Sequence, residues 1–151
     1  MDRNMDKSHV YKQSRICRSK LRVLVVDDDC SVAETLRDLL RFKGFDVETA
    51  ENGKQAIDLI KRPHHFDLMI TDMRMPEMDG LELLKAIRQL KTDLPIIILT
   101  GYATVENGIH SMEQGAYDYL FKPFNIEELM QAMNRALSRS RPDLEGTFNR
   151  L

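Results

Sequence analysis

The sequence predicts an α/β fold, in which five strands alternate with five helices and form a parallel sheet covered on both faces. Three observations predict it. Short aliphatic runs recur between segments of helical periodicity. The inner runs are apolar throughout instead of alternating, as strands buried on both sides require. Four helix starts pair a short polar residue with Glu or Gln three positions on: Ser31/Glu34, Asn52/Gln55, Asp79/Glu82 and Asn125/Glu128.

The elements follow in order. Val23-Leu24-Val25-Val26 is the first strand. Residues 31–43 place Val32, Leu36, Leu39 and Leu40 on one helical face, and Gly44 ends that helix. Phe45 to Thr49 alternates like a half-exposed edge strand. A helix over 53–61 carries Ala56, Leu59 and Ile60. Leu68-Met69-Ile70 is the third strand and stops at Asp72. Residues 80–90 align Leu81, Leu84 and Ile87. Ile96-Ile97-Ile98-Leu99 is the fourth strand. Residues 104–114 gather Val105, Ile109 and Met112 on one face. Tyr117 to Phe121 is the fifth strand, and a last helix over 126–139 shows Ile126, Leu129, Met133 and Leu137.

Composition narrows the function. With 151 residues and 42% apolar side chains, the chain can build one real core. No apolar run is long enough for a membrane span, and the polar start does not read as a signal peptide, which points to the cytoplasm. Cys17 and Cys30 make neither a disulfide framework nor a metal spacing, and the four histidines form no zinc motif. Residues 1–20 carry +4 while the whole chain is −2, which leaves −6 over residues 21–151. The reading is a flexible basic extension (1–20), one acidic domain (21–140) and a polar tail or linker start (141–151). An acidic domain without clustered Lys or Arg argues against direct nucleic-acid binding.

In parallel sheets of this kind the functional crevice lies at the carboxyl ends of the strands. The first strand ends in Asp27-Asp28-Asp29, the third in Asp72, the fourth in Thr100-Gly101 and the fifth in Lys122-Pro123. Strand termination alone does not account for carboxylates, a hydroxyl and an ammonium on one edge. Clustered carboxylates raise one another's pKa, and a divalent cation such as Mg²⁺ relieves that cost. A carboxylate beside metal, hydroxyl and lysine suits attack on a phosphoryl group. Asp72 is then a presented nucleophile, with Pro76 and Gly80 shaping the loop behind it.

Four stretches, VLVVDDD, ITDMRMPEMDG, PIIILTGYA and GAYDYLFKPF, resemble the receiver domain of bacterial two-component response regulators, in order and at that family's spacings. The resemblance spans about residues 21–140, and the wording is most similar to receivers of nitrogen-regulation-type transcriptional activators. It implies a flavodoxin-like, doubly wound (βα)5 fold with strand order 2-1-3-4-5. It implies that Asp72 accepts phosphoryl from a sensor histidine kinase or a histidine phosphotransfer protein. Asp28, Asp72 and the Arg74 backbone carbonyl would bind Mg²⁺, with Asp27 acting through a water. Lys122 would pair with Asp72 and then with phosphoryl oxygens. Thr100 would turn inward to the phosphate and Tyr119 would follow it. The Lys122–Pro123 bond would be cis. The switched surface would be the fourth helix, fifth strand and fifth helix, meeting an output partner or a second copy.

Plainer readings stand beside these. Asp29 reads as a solvated loop acid, Asp79 as a helix cap, Glu77 as solvent-facing, and Met73, Met75 and Met78 as packing. Tyr102 and Tyr117 read as surface aromatics. Arg74 and Tyr102 also flank the pocket mouth, where they would slow attack of water on the acyl phosphate. Two rival functions remain: a phosphorylation-independent interaction module, and an aspartyl-nucleophile phosphatase. The latter wants an acid two residues after the nucleophile, where this chain has Arg74.

Overall fold

The computed structural model describes residues 20–63, 65–90, 92–101 and 105–140, with side chains omitted at 105–107 and 140. The 1–20 extension, Lys20 apart, and the 141–151 tail therefore lie outside the described residues. Five strands, β1 (Arg22–Val26), β2 (Asp46–Ala50), β3 (Leu68–Asp72), β4 (Ile96–Thr100) and β5 (Asp118–Phe121), alternate with five helices. The helices are α1 (Cys30–Phe42), α2 (Gly53–Lys61), α3 (Gly80–Gln89), α4 (Val105–Glu113) and α5 (Ile126–Ser140). All strand pairs are parallel, and the order is β2-β1-β3-β4-β5. No helix among the described residues is long and apolar enough to cross a membrane.

The period of two along each strand divides the core into two. Val23, Val25, Leu68, Ile70, Ile97 and Leu99 face α1 and α5, where Leu36, Leu40, Leu129 and Met133 meet them. Leu24, Val26, Met69, Ile96 and Ile98 face the other way, against Ala56, Leu83, Leu84 and Ile87 of α2 and α3. Both faces of β1, β3 and β4 are buried, which is why these runs are apolar throughout. At the sheet edge, β2 is half-exposed as expected, but its burial does not alternate strictly: Val47 and Ala50 are buried, Asp46 is exposed, and Glu48 and Thr49 are intermediate.

Three of the four expected caps are present. Asn52 accepts from the Gln55 amide (2.8 Å), Asp79 from Glu82 (2.8 Å) and Asn125 from Glu128 (2.8 Å). The first is different. Asp29, not Ser31, caps α1, its Oδ1 accepting from the Ser31 and Val32 amides. The helix starts one residue early, at Cys30, so Asp29, solvent-exposed as expected, also serves as the helix cap.

Two apolar stripes face differently from the sequence reading. On α1 the buried seam is Ala33, Leu36 and Leu40, while Val32 and Leu39 turn outward. On α4, Ile109 and Met112 are exposed, at 54% and 48%, and among the described side chains of the helix Ser111 is the buried one. The small Gly108 lets α4 lie close on β5. A β-carbon at Gly108 would stand 3.3 Å from the Tyr119 ring. Periodicity establishes that a stripe exists but not which way it points.

Candidate functional site

Strand register brings the site residues level. Val26 pairs with Thr71, so the next residues along the two strands, Asp27 and Asp72, follow side by side. Asp72 in turn pairs with Leu99, and Thr100 with Phe121. The chain past Phe121 stays tied to the edge, because the Lys122 amide donates to the Thr100 carbonyl at 2.7 Å. Strand β3 runs through Asp72 instead of ending before it, so its carboxylate is held by the sheet. Parity then sorts the side chains. Asp27, Asp72 and Lys122 continue the rows that face α1 and α5. Thr100 and Tyr119 belong to the rows on the α2–α4 side.

The carboxylates of Asp27, Asp28 and Asp72 converge, each offering an oxygen within 4.8 Å of the others. Lys122 Nζ donates to Asp72 Oδ1 at 2.8 Å, with Asp72 mostly buried and Lys122 about one-third exposed. Asp27 is buried, and its carboxyl is pushed above the usual carboxylate range, first by burial and then by the nearby Asp72 charge. The Asp29 amide opposes this by donating to Asp27 Oδ1 at 2.9 Å. Three hard oxygen donors with a buried, charge-crowded member fit a small divalent cation.

The loop behind Asp72 is tightly made. The Gly80 amide donates to the Met73 carbonyl at 2.8 Å, which pulls the start of α3 under the strand end. A β-carbon at Gly80 would sit 2.5 Å from the Asp72 carbonyl oxygen, so only glycine allows this approach. Glu77 has φ of 69°, in the left-handed region. It is exposed, as expected, whereas Met75 is buried and Met73 and Met78 pack on the core.

The remaining residues fall as follows. Thr100 is buried at the end of β4. Tyr119 is half-buried, its ring edge-on to Phe121 at 5.1 Å and close over Gly108. The Lys122–Pro123 peptide is cis. Arg74 is exposed on the loop two residues past Asp72. Tyr117 is partly buried against the α1–α5 core, so it is not a surface aromatic. Tyr102, the other residue expected at the pocket mouth, lies outside the described residues.

Comparison with known proteins shows the family and the fold. The family model for the response regulator receiver domain matches residues 23–134. Response regulator MprA of Mycolicibacterium vanbaalenii is 45% identical over 125 residues, covering 82% of this chain and 53% of that protein. MprA of Mycobacterium avium is 43% identical over the same length, covering 54% of its own chain. This chain thus spans about half the length of these relatives. The receiver domain of Francisella response regulator 1452 superposes with a TM-score of 0.76 at 36% identity, covering 81% of this chain and 100% of that one. Vibrio cholerae chemotaxis protein CheY4 gives 0.74 at 35% identity, covering 79% and 100%.

Proposed function

The chain belongs to the response regulator receiver family, and from that premise we propose that it is the phosphoacceptor of a two-component phosphorelay, with Asp72 taking the phosphoryl group. The observation that carries this is the Lys122–Asp72 contact of 2.8 Å inside a cluster of three converging carboxylates. A lysine on a strand-end carboxylate is a poised neutralising charge, and the register leaves both in reach of one bound phosphoryl group.

The donor is a phosphohistidine of a sensor kinase or phosphotransfer protein. An Asp72 carboxylate oxygen attacks phosphorus as the P–N bond to the imidazole breaks. The imidazole nitrogen keeps the electron pair and takes a proton. Lys122 moves from Asp72 to the new phosphoryl oxygens, and the Thr100 hydroxyl donates to another of them. Tyr119 follows Thr100 inward, since both side chains lie on the same side of the sheet. Asp28, Asp72 and the Arg74 carbonyl would hold Mg²⁺, with Asp27 through a water. Held there, the ion would supply positive charge against the phosphoryl oxygens beside the carboxylates. The chain accepts and slowly loses one group and does not turn over a substrate. Arg74 at the pocket mouth contributes to that slow loss by restricting water.

Incubation with acetyl phosphate and Mg²⁺, followed by intact-mass measurement, tests the proposal. One added phosphoryl group is expected, absent without Mg²⁺ and absent in Asp72→Asn. A native chain that turns over the donor without gaining mass would indicate a phosphatase. A chain that neither reacts nor gains mass would indicate an interaction module.

A further inference from the structure

At the end of the sheet opposite the acid pocket, one cation joins three segments. Arg88, in the last turn of α3, donates from Nη1 to the Thr92 carbonyl at 3.1 Å and from Nη2 to the Gly115 carbonyl at 2.7 Å. Thr92 leads into β4, and Gly115 lies between α4 and β5. Burial pushes the guanidinium below its usual pKa, and the nearby Asp93 charge opposes that push. The fit is close, since a β-carbon at Gly115 would stand 3.0 Å from Arg88 Nε. Gly115, with φ of 104°, also closes α4. Its amide donates to the Met112 carbonyl at 3.1 Å, and the Ala116 amide to the Ser111 carbonyl at 3.0 Å, which is the Schellman pattern. Arg88 therefore grips the residue that ends α4. The helix begins at Val105, five residues past Thr100 in the acid pocket.

We propose that Arg88 is a positioning residue for the switch, holding the far end of α4 so that the helix tilts about Gly115 instead of sliding as a whole. This rests on the reading of Asp72 as phosphoacceptor, because the pull comes from Thr100 turning toward the phosphoryl group. Nine helical residues make a lever of about 12 Å. A shift of about 1–2 Å at its first turn, the usual scale of helix movement in switches, then tilts it by roughly 5–10°. Ile109 moves further than Met112, so the outward face of α4 is reshaped and not merely displaced. A lysine cannot replace the arginine, since one ammonium does not copy the planar fork that spans both carbonyls.

Residue-resolved amide exchange of the full chain by NMR tests this, with Mg²⁺ present and with or without beryllium fluoride as the phosphoryl mimic. In the native chain the mimic should change exchange over residues 105–110 and leave the Gly115 and Ala116 amides unchanged. In Arg88→Met those two amides should exchange about tenfold faster with the mimic than without it, the scale of a lost hydrogen bond from a charged donor. Arg88→Lys, which keeps the charge and the stem, should show the same effect more weakly, and it serves if the Met variant does not fold. All three chains should gain one phosphoryl group from acetyl phosphate, since the two Arg88 hydrogen bonds reach no acid-pocket residue. The proposal is overturned if the native Gly115 and Ala116 amides respond as strongly as residues 105–110. It is equally overturned if both variants loosen these amides to the same extent with and without the mimic, which would make Arg88 structural only. A native α4 that does not respond at all overturns it too. Mass gain from acetyl phosphate would then show that the phosphoacceptor reading survives, and no gain that both fall.

Discussion

Asp27 is a buried carboxylate whose charge the fold disfavours. Its folded pKa lies above the ordinary 3.8, because burial disfavours the carboxylate and Asp72 repels it. A group with a raised folded pKa stabilises fully below the unfolded value, and that contribution is lost as pH rises through the folded value. Asp27→Asn should therefore be the more stable protein at neutral pH without metal, with the gap closing as pH falls through the raised folded value and gone below about 4. Thermal melts at several pH values check this, and equal melting temperatures at neutral pH would contradict it. Mg²⁺ should raise the melting temperature of the native chain more than that of the variant. Asp28 and Asp29 should separate cleanly. Asp28→Ala should weaken Mg²⁺ binding, whereas Asp29→Ala should mainly cost the α1 cap, about 1 kcal/mol of stability. Equal loss of Mg²⁺ affinity in both variants, measured by titration, would refute that division. Glu77 holds a left-handed backbone that glycine adopts without strain. Glu77→Gly should gain roughly 0.5–1 kcal/mol in chemical denaturation, strain relief outweighing the glycine's entropy. A loss of stability would mean that the Glu77 side chain contributes more than its backbone costs.

At the scale of elements, α4 should be the segment that responds most to phosphorylation. It packs on β5 through Gly108, with Ser111 buried, and Ile109 and Met112 face outward. Glycine inside a helix costs about 1 kcal/mol against alanine. Here it buys the close approach of the Tyr119 ring. Gly108→Ala should strengthen the helix but press on that ring, so the shift of Tyr119 on phosphorylation should shrink. Hydrogen exchange with and without a phosphoryl mimic would show this as a smaller change over residues 105–121 in the variant. In the native chain the change should centre on α4, β5 and α5. A response confined to α1 or α2 would refute the coupling. The sequence carried the elements well, since strict β-α alternation and three true caps fixed their order and most boundaries. It did not carry the facing of the stripes. Val32 and Leu39 obey the same period as Leu36 and Leu40, and only the partner surface decides which of them is covered. The cap of α1 was misread for a similar reason. Asp29 and Ser31 are both good caps, and the choice depends on where the chain leaves β1.

Across the whole molecule, the site exists because three separate strand pairings agree. Asp27, Asp72 and Lys122 are 45 and 50 residues apart along the chain, yet register and parity deliver them to one edge and one face. That convergence was legible in advance, because a parallel sheet aligns its carboxyl ends whatever the loops do. The loop contacts were not. That Gly80 admits the Asp72 carbonyl, or that Glu77 turns left-handed, depends on distances no motif records. The aligned edge should serve one carboxylate, Asp72, as acceptor. The most direct test is borohydride reduction of the chain after treatment with acetyl phosphate and Mg²⁺, followed by peptide mass mapping. An acyl phosphate is reduced to an alcohol, which marks the residue that carried it. The account predicts the mark at position 72 alone. A mark at position 27 or 28, or none in a chain that had gained phosphoryl, would contradict it.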